Sequence, residues 1–312
     1  MFSFHGKRMT ALKIILGFIA ILAIAVSCTD ERKGLEQYEF DETKKLVAFV
    51  EDAAGLIKTK GGDAAFRDFT RKNSKWLSGN RYLFAYDLNG TCIFHPVTPE
   101  LIGRNIIDMK DLNGKPVIGE IVQIASNTQH PFGWVHYLWM EPGEIYPEYK
   151  SSYIMRVTDP AGHVYAIGSG NYKQKAEKIF VSDMVDSACI QLERTGLEMI
   201  PQFVDKSGRY NFYDAYIFIL DEQGTALVDP SFPSLSGRKL INLKDAIGKP
   251  IVMEMIEKLK TRQTAWLSYM SKSPDENKPV KKLAYIRKIY INNMGYIVGS
   301  SIRLQKPVWL KI

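Results

Sequence analysis

Cysteine and histidine are scarce in this chain, at three and five of 312 residues. Four of the histidines, His95, His130, His136 and His163, lie beyond the N-terminal segment, and none has the HExxH-like spacing that places two metal ligands on one helix face. No GxSxG nucleophile elbow occurs, so the usual hydrolase signatures are missing. The stretch "GRNIIDMKDLNGKP" is no phosphate loop, because Gly103 and Gly114 are far apart and Lys115 is followed by Pro116 instead of Ser or Thr. Likewise "GSGNYK" lacks the third glycine of a dinucleotide fingerprint. Asp108 and Asp111 recur as Asn242 and Asp245 ahead of a helical pattern, which fits turn formation better than acid–base chemistry. Together these absences argue against an enzyme and imply no metal and no cofactor.

Charge of one sign is also in short supply. The net +7 includes Lys7, Arg8 and Lys13, and without residues 1–27 the chain carries 38 Lys and Arg against 34 Asp and Glu. An excess of about +4 gives no basic footprint for nucleic acid. The apolar run Ile14–Val26 would form a helix of roughly 20 Å at about 1.5 Å per residue, against a hydrocarbon core of ~30 Å. A basic segment, that run and "AVSC" read in order as a secretion signal. "AVSC" resembles a bacterial lipoprotein processing site, with Cys28 as the lipidated residue and Ala25 where Leu is commoner. Diacylation and palmitate would supply the two or more chains that stable anchoring needs. Thr29, instead of the Asp linked to inner-membrane retention, favours an outer-membrane destination facing the periplasm. Cys92 and Cys189 fall on a predicted strand and a predicted helix; a disulfide is permitted outside the cytoplasm, but buried free thiols are the expectation.

What the chain has in abundance is apolar material, 46% hydrophobic with 12% aromatic, and a long internal repeat. "YLFAYDLNGTCIFHPVTPELIGRNIIDMKDLNGKP" aligns without a gap to "YIFILDEQGTALVDPSFPSLSGRKLINLKDAIGKP" 134 residues later, with about 16 identities in 35 positions. "GWVHY" then faces "AWLSY", and "VYAIGSG" faces "GYIVGSS". A period this long marks duplicated domains and no solenoid. Each copy opens with a helical stripe, Leu46, Phe49, Val50, Ala53 and Ile57 in one and Val181, Met184, Val185, Ala188 and Leu192 in the other. A hairpin follows around Asn89-Gly90 or Gln223-Gly224, where glycine supplies a positive φ. His95-Pro96 or Asp229-Pro230 ends the second strand. Pro116 or Pro250 then sits at the first position of a second helix, with Ile118, Ile121, Val122 and Ala125 or Val252, Met255, Ile256 and Leu259 at helical spacing. Three further strands close each unit. The expected fold is α+β: two domains, each with a long N-terminal helix and an antiparallel sheet of about five strands.

On "YLFAYDLNGTCIFHP", "LIGRNIIDMKDLNGKP", "GWVHYLWMEPG", "YKSSYIMRV" and "GSGNY", the first copy resembles the single-Cache type of the Cache superfamily, PAS-like sensor domains of bacterial chemoreceptors and sensor kinases. The second copy keeps the hairpin, "GRKLINLKDAIGKP" and "GSS" but loses "KSSY" and "GSGNY" and has Asp229 in place of His95. The implied organisation is a signal peptide over 1–27, a tether over 28–35, single-Cache domains over 36–173 and 174–304, and a tail over 305–312. The resemblance implies extracytoplasmic binding of a small organic molecule, such as a short carboxylate, amine or amino acid, on the sheet beneath the connection that carries the helix. Only nine residues follow Arg303, so the expectation is a chain that hands ligand or information to a sensor kinase, chemoreceptor or envelope protein, or acts as a sink. The alternative is a ligand-free interaction module docking to such a partner.

A carboxylate ligand needs a fixed cation or several donors, because an unpaired charge in an apolar pocket is costly. Alternation places Lys150, Ser152 and Arg156 on one strand face and Tyr153 on the other. Trp134, Tyr137 and Trp139 are candidates for an aromatic wall, and His95 for a donor at a strand end. In the second copy Asp229, Trp266, Tyr269 and Arg287 take corresponding places. The first checkable expectation concerns the N-terminus: intact-mass spectrometry of the mature protein finds a diacylated Cys28, and a free unmodified residue there removes the anchor.

Overall fold

The computed structural model describes residues 34–72, 74–205, 207–271 and 278–304. Cys28, the signal segment and the 305–312 tail lie outside these. Helix α1 (Asp41–Lys60) and the short α2 (Gly62–Phe69) lead into strands β1 (Phe84–Tyr86) and β2 (Cys92–Phe94), helix α3 (Val117–Ser126), and strands β3 (Phe132–Met140), β4 (Pro147–Thr158) and β5 (Val164–Tyr172). After α4 (Lys178–Thr195) and α5 (Ile200–Val204), a small hairpin of β6 (Asn211–Phe212) and β7 (Ala215–Tyr216) precedes the second series. That series is β8 (Phe218–Asp221), β9 (Ala226–Val228), α6 (Ile251–Leu259), β10 (Thr264–Ser271), β11 (Val280–Ile291) and β12 (Met294–Arg303).

The two five-stranded antiparallel sheets share one topology, β2-β1-β5-β4-β3 and β9-β8-β12-β11-β10. The mixed α+β architecture expected from the pattern is therefore present. All five residues of each predicted helical stripe are buried, in α1 and in α4. Gly90 and Gly224 turn the hairpins at φ 86° and 77°. Pro116 and Pro250 sit one position earlier than expected, as the residues before α3 and α6, with ψ of 81° and 86°.

The repeated "KD…GKP" stretch builds the same knot twice. Asp111 Oδ1 accepts the N–H groups of Asn113 and Lys115, and its Oδ2 accepts that of Leu138 on β3. Asp245 treats Ile247, Lys249 and Met270 on β10 identically. The lysine completes it: Lys115 Nζ donates to the His136 carbonyl at 2.8 Å, and Lys249 Nζ to that of Ser268 at 2.7 Å. The turn is thus fastened to the strand that carries the aromatic residues, and α3 is held over the sheet.

Each sheet separates two apolar layers. In the first, α1 packs with Phe94, Tyr153, Val157 and Ile167 on one face, while α3 packs with Phe84, Tyr137, Ile154 and Ala166 on the other. Cys92 and Cys189 are buried and unbridged. Among the described residues, no helix is long and apolar enough to cross a membrane.

Helix α1 lacks a side-chain cap of its own, Phe40 being its N-cap residue. Glu177, fully buried and 137 residues away, accepts the Phe40 N–H at 3.0 Å and the Glu39 N–H at 2.7 Å. Its carboxylate also lies where the helix dipole favours negative charge. Glu177→Ala is expected to lower unfolding stability by about 2 kcal/mol, the scale of hydrogen bonds to a charged acceptor, with Glu177→Gln costing less. Urea midpoints at unchanged m-value measure this; a change below about 0.5 kcal/mol would show that the contact does not secure the helix.

Candidate functional site

On the α3 face of the first sheet, β4 presents Lys150, Ser152 and Ile154, and β3 presents Val135, Tyr137 and Trp139, as period-two alternation requires. Tyr137 is the register partner of Lys150. Tyr82, just before β1, His95, just after β2, and Tyr172, at the end of β5, converge on the same point. Beside them lies a cavity of about 10 Å³ walled by Tyr82, Phe84, His95, Ile118, Tyr137 and Lys150, with room for about one water.

Lys150 is 1% exposed. Its Nζ donates to the Tyr82 hydroxyl at 2.8 Å and reaches that of Tyr172 at 3.5 Å. The ammonium lies 4.1 Å from the Tyr82 ring centroid, 4.7 Å from Tyr172 and 5.8 Å from Phe84. Among the described residues no carboxylate forms an ion pair with it; Glu141 contributes only a distant field. Burial pulls the ammonium from its ordinary 10.5 to about 7.

The other groups are donors or neutral. His95 Nδ1 accepts the Thr98 N–H at 3.0 Å, which leaves the proton on Nε2. Burial, with the field of Lys150, lowers this imidazole to about 4, so it is neutral at physiological pH. Tyr137 shares a 2.8 Å hydrogen bond with Ser152, and burial raises its hydroxyl, like those of Tyr82 and Tyr172, above the ordinary value. Gly170 keeps this arrangement possible: a Cβ there would lie 2.2 Å from Ser152 Oγ and 2.9 Å from Lys150 Cε. The second glycine of "GSG" is thus a steric requirement of Ser152 and the lysine, while the first, Gly168, leaves room for Ile154 and Phe84. Tyr172 also lines an open groove outside the cavity with Asn80, Glu141 and Asn171, and its hydroxyl donates to the Met140 carbonyl at 2.7 Å.

The structure therefore brings together His95, Tyr137, Trp139 and Lys150 of the residues singled out from sequence. Trp134 and Tyr153 are not with them. They face α1, where Trp134 donates to Tyr38 at 3.2 Å and packs on Tyr153 and Phe180. Three positions separate Trp134 from Tyr137, so alternation sends them to opposite faces. Arg156 shares the Lys150 face but lies beyond the cavity, its Nη1 donating to the Ala125 carbonyl at the end of α3. Tyr82 and Tyr172, not singled out, stand inside the quoted "YLFAY" and "GSGNY"; their signal was the motif itself.

The second sheet repeats the split. Asp229 and Tyr269 line a cavity of about 380 Å³. Trp266 instead packs on Tyr285, and Arg287 pairs with Asp186 of α4 at 2.9 Å on the opposite face. The register counterpart of Lys150 is Lys282, partner of Tyr269 at the same offset of 132 residues that relates Trp134 to Trp266. No cluster of metal-ligating side chains occurs among the described residues.

Comparison with known proteins adds three findings. A family model described as Cache domain matches residues 57–306, across both sheets. The methyl-accepting chemotaxis protein McpP of Pseudomonas putida is 32% identical over 109 residues, 35% of this chain but only 19% of McpP. Among solved structures, a Cache chemosensory domain studied for carboxylic acid recognition is 28% identical over 43% of this chain and 94% of its own, with a TM-score of 0.36. A methyl-accepting chemotaxis protein from Vibrio parahaemolyticus is 22% identical over 49% and 96%, with a TM-score of 0.34.

The depressed Lys150 value fixes a pH dependence. Its folded pKa lies below the unfolded one, so the penalty for burying the charge is fully present below pH 7. As pH climbs from about 7 towards 10.5, the native state releases a proton that the unfolded chain still holds, and stability rises. At about 1.4 kcal/mol per unit this amounts to a few kcal/mol. Lys150→Met is expected to be more stable than the parent at pH 6, with the difference shrinking by pH 10. Denaturation midpoints across that range measure it; a constant difference would contradict the assignment.

Proposed function

The chain belongs to the Cache domain family, and from that premise we propose that it is an extracytoplasmic small-molecule sensor or binding protein whose Lys150 pocket takes a short carboxylate. The observation that carries the reading is the buried Lys150 ammonium, which has aromatic faces and hydroxyls around it but no carboxylate partner among the described residues. A ligand carboxylate would supply the missing counter-charge. Tyr82, Tyr172 and the His95 Nε2–H would donate to its remaining lone pairs, and Phe84, Ile118 and Trp139 would exclude water. The chemotaxis relative, matched over a fifth of its length, is consistent with sensing.

The cavity is too small for such a ligand with every wall in place. Binding therefore requires wall residues, Trp139 among them, to move outward. A ligand of about four heavy atoms gains at most ~6 kcal/mol, which corresponds to tens of micromolar. Movement of β3 has a path onward, because Trp134 and His136 on its other face pack against Phe180 of α4 and Phe212 of β6. In this reading residues 36–173 and 174–304 form two Cache units. A lipidated Cys28 holds them at the periplasmic face of an envelope membrane, and a separate sensor kinase, chemoreceptor or envelope protein receives the signal.

The closed cavity also favours a second reading, an interaction module that docks to such a partner with its pocket filled by its own side chains. Thermal-shift screening separates the two. Carboxylates of two to four carbons are expected to raise the melting temperature by mass action, and Lys150→Met to weaken the effect at least tenfold. Unaltered melting across the series would remove the sensor reading and leave the docking module.

A further inference from the structure

The second sheet carries a cavity of opposite character. It is about 380 Å³, within the range of small-molecule sites, and its walls are apolar: Phe218, Val228, Leu240 and Met255. At one end lie Tyr216, Asp229 and Tyr269. Lys282, which replaces Lys150, already has a carboxylate partner. Its Nζ lies 3.1 Å from Asp214 Oδ2, an oxygen that also accepts Arg303 Nε at 2.7 Å, and neither cation lines the cavity.

Asp229 stands where the first sheet has neutral His95, and it keeps the same local turn. Its Oδ1 accepts the N–H groups of Ser231 and Phe232 at 3.1 and 3.0 Å. Its Oδ2 takes no hydrogen bond among the described residues. Burial raises this carboxyl above its ordinary value despite the pull of those N–H groups and of Lys282, the mark of an anion short of compensating charge. The other acid on the wall, Asp245, has both oxygens committed to turn and strand N–H groups, and Lys244 is exposed.

We propose that this cavity is a second ligand site, specific for a small organic cation: a primary ammonium placed on Asp229 between Tyr216 and Tyr269, with an aromatic or branched alkyl body filling the apolar end. One charge exchange, His95 to Asp229 together with the Asp214 lock on Lys282, inverts the preference of an otherwise repeated pocket. The tyrosine rings add cation–π attraction, and the larger volume admits a bulkier body than the Lys150 pocket does. The site does not depend on what the Lys150 pocket binds.

Calorimetric titration of the full chain with isobutylamine, benzylamine and phenethylamine tests this, with 2-phenylethanol and 3-phenylpropanoate as neutral and anionic counterparts. At least one amine is expected to bind at millimolar concentration or below, and at least tenfold more tightly than either counterpart. Asp229→Asn, which retains an acceptor for the Ser231 and Phe232 N–H groups, weakens it at least tenfold. Met255→Trp, which fills the cavity without touching charge, abolishes it. Lys150→Met leaves it unchanged. The proposal is overturned if none of the amines binds, if Asp229→Asn and Met255→Trp bind as the parent does, or if Lys150→Met removes the binding and so places the amine in the first pocket.

Discussion

A positive charge sealed into an aromatic box without an acid beside it is the constraint around which the first half of this molecule is arranged. An ammonium on Lys150 can persist there only because the Tyr82 hydroxyl and three ring faces replace part of its hydration. Gly170 has to be a glycine beside it, because a Cβ there would collide with Ser152, the Ser151 carbonyl and the lysine stem. His95 must be neutral beside it, and the Thr98 N–H fixes the tautomer in which it is. The compensation is incomplete, and the shortfall is what an incoming anion would supply.

The sheet serves as a divider between that charge and the rest of the chain. Alternate residues of β3 face the cavity and the seam with the second half, so Tyr137 and His136 are neighbours in sequence with different surroundings. Lys115 stitches the seam, donating to the His136 carbonyl and, at 3.1 Å, to that of Asn211 on β6. Its counterpart Lys249 instead pairs with Glu254 in its own half. The duplicated motif has thus been used once for a local turn and once for a joint, and a rigid strand with a polar clamp is a suitable element for two sites to bias.

Much of this was legible in the sequence. Helical stripes, hairpin glycines and the repeat gave the α+β class and an antiparallel sheet of about five strands in each copy, because those signals are local and periodic. Lys150 emerged, together with Arg156, because a carboxylate ligand needs a fixed cation and "KSSYIMRV" carries two on one face. The failures have equally physical causes. Trp134 was grouped with Tyr137 by residue type although their spacing places them on opposite faces. Arg287 was matched to Arg156 by residue type, although its register counterpart is Met155, on the opposite face. Glu177 gave no sign of capping α1, since a contact across 137 residues leaves no local pattern. The Asp214 lock on Lys282 was equally hidden, and it decides the sign of the second cavity.

The central claim is that Lys150 is a buried cation awaiting an anion, and its own titration tests that most directly. Carbon-13 NMR of the Lys150 ε-methylene, assigned with Lys150→Met, should follow an ionisation near 7 in the free protein. The ionisation should move back towards the ordinary lysine range when a short carboxylate saturates the pocket. A free-protein value near 10.5, or one that no carboxylate displaces, would contradict the account.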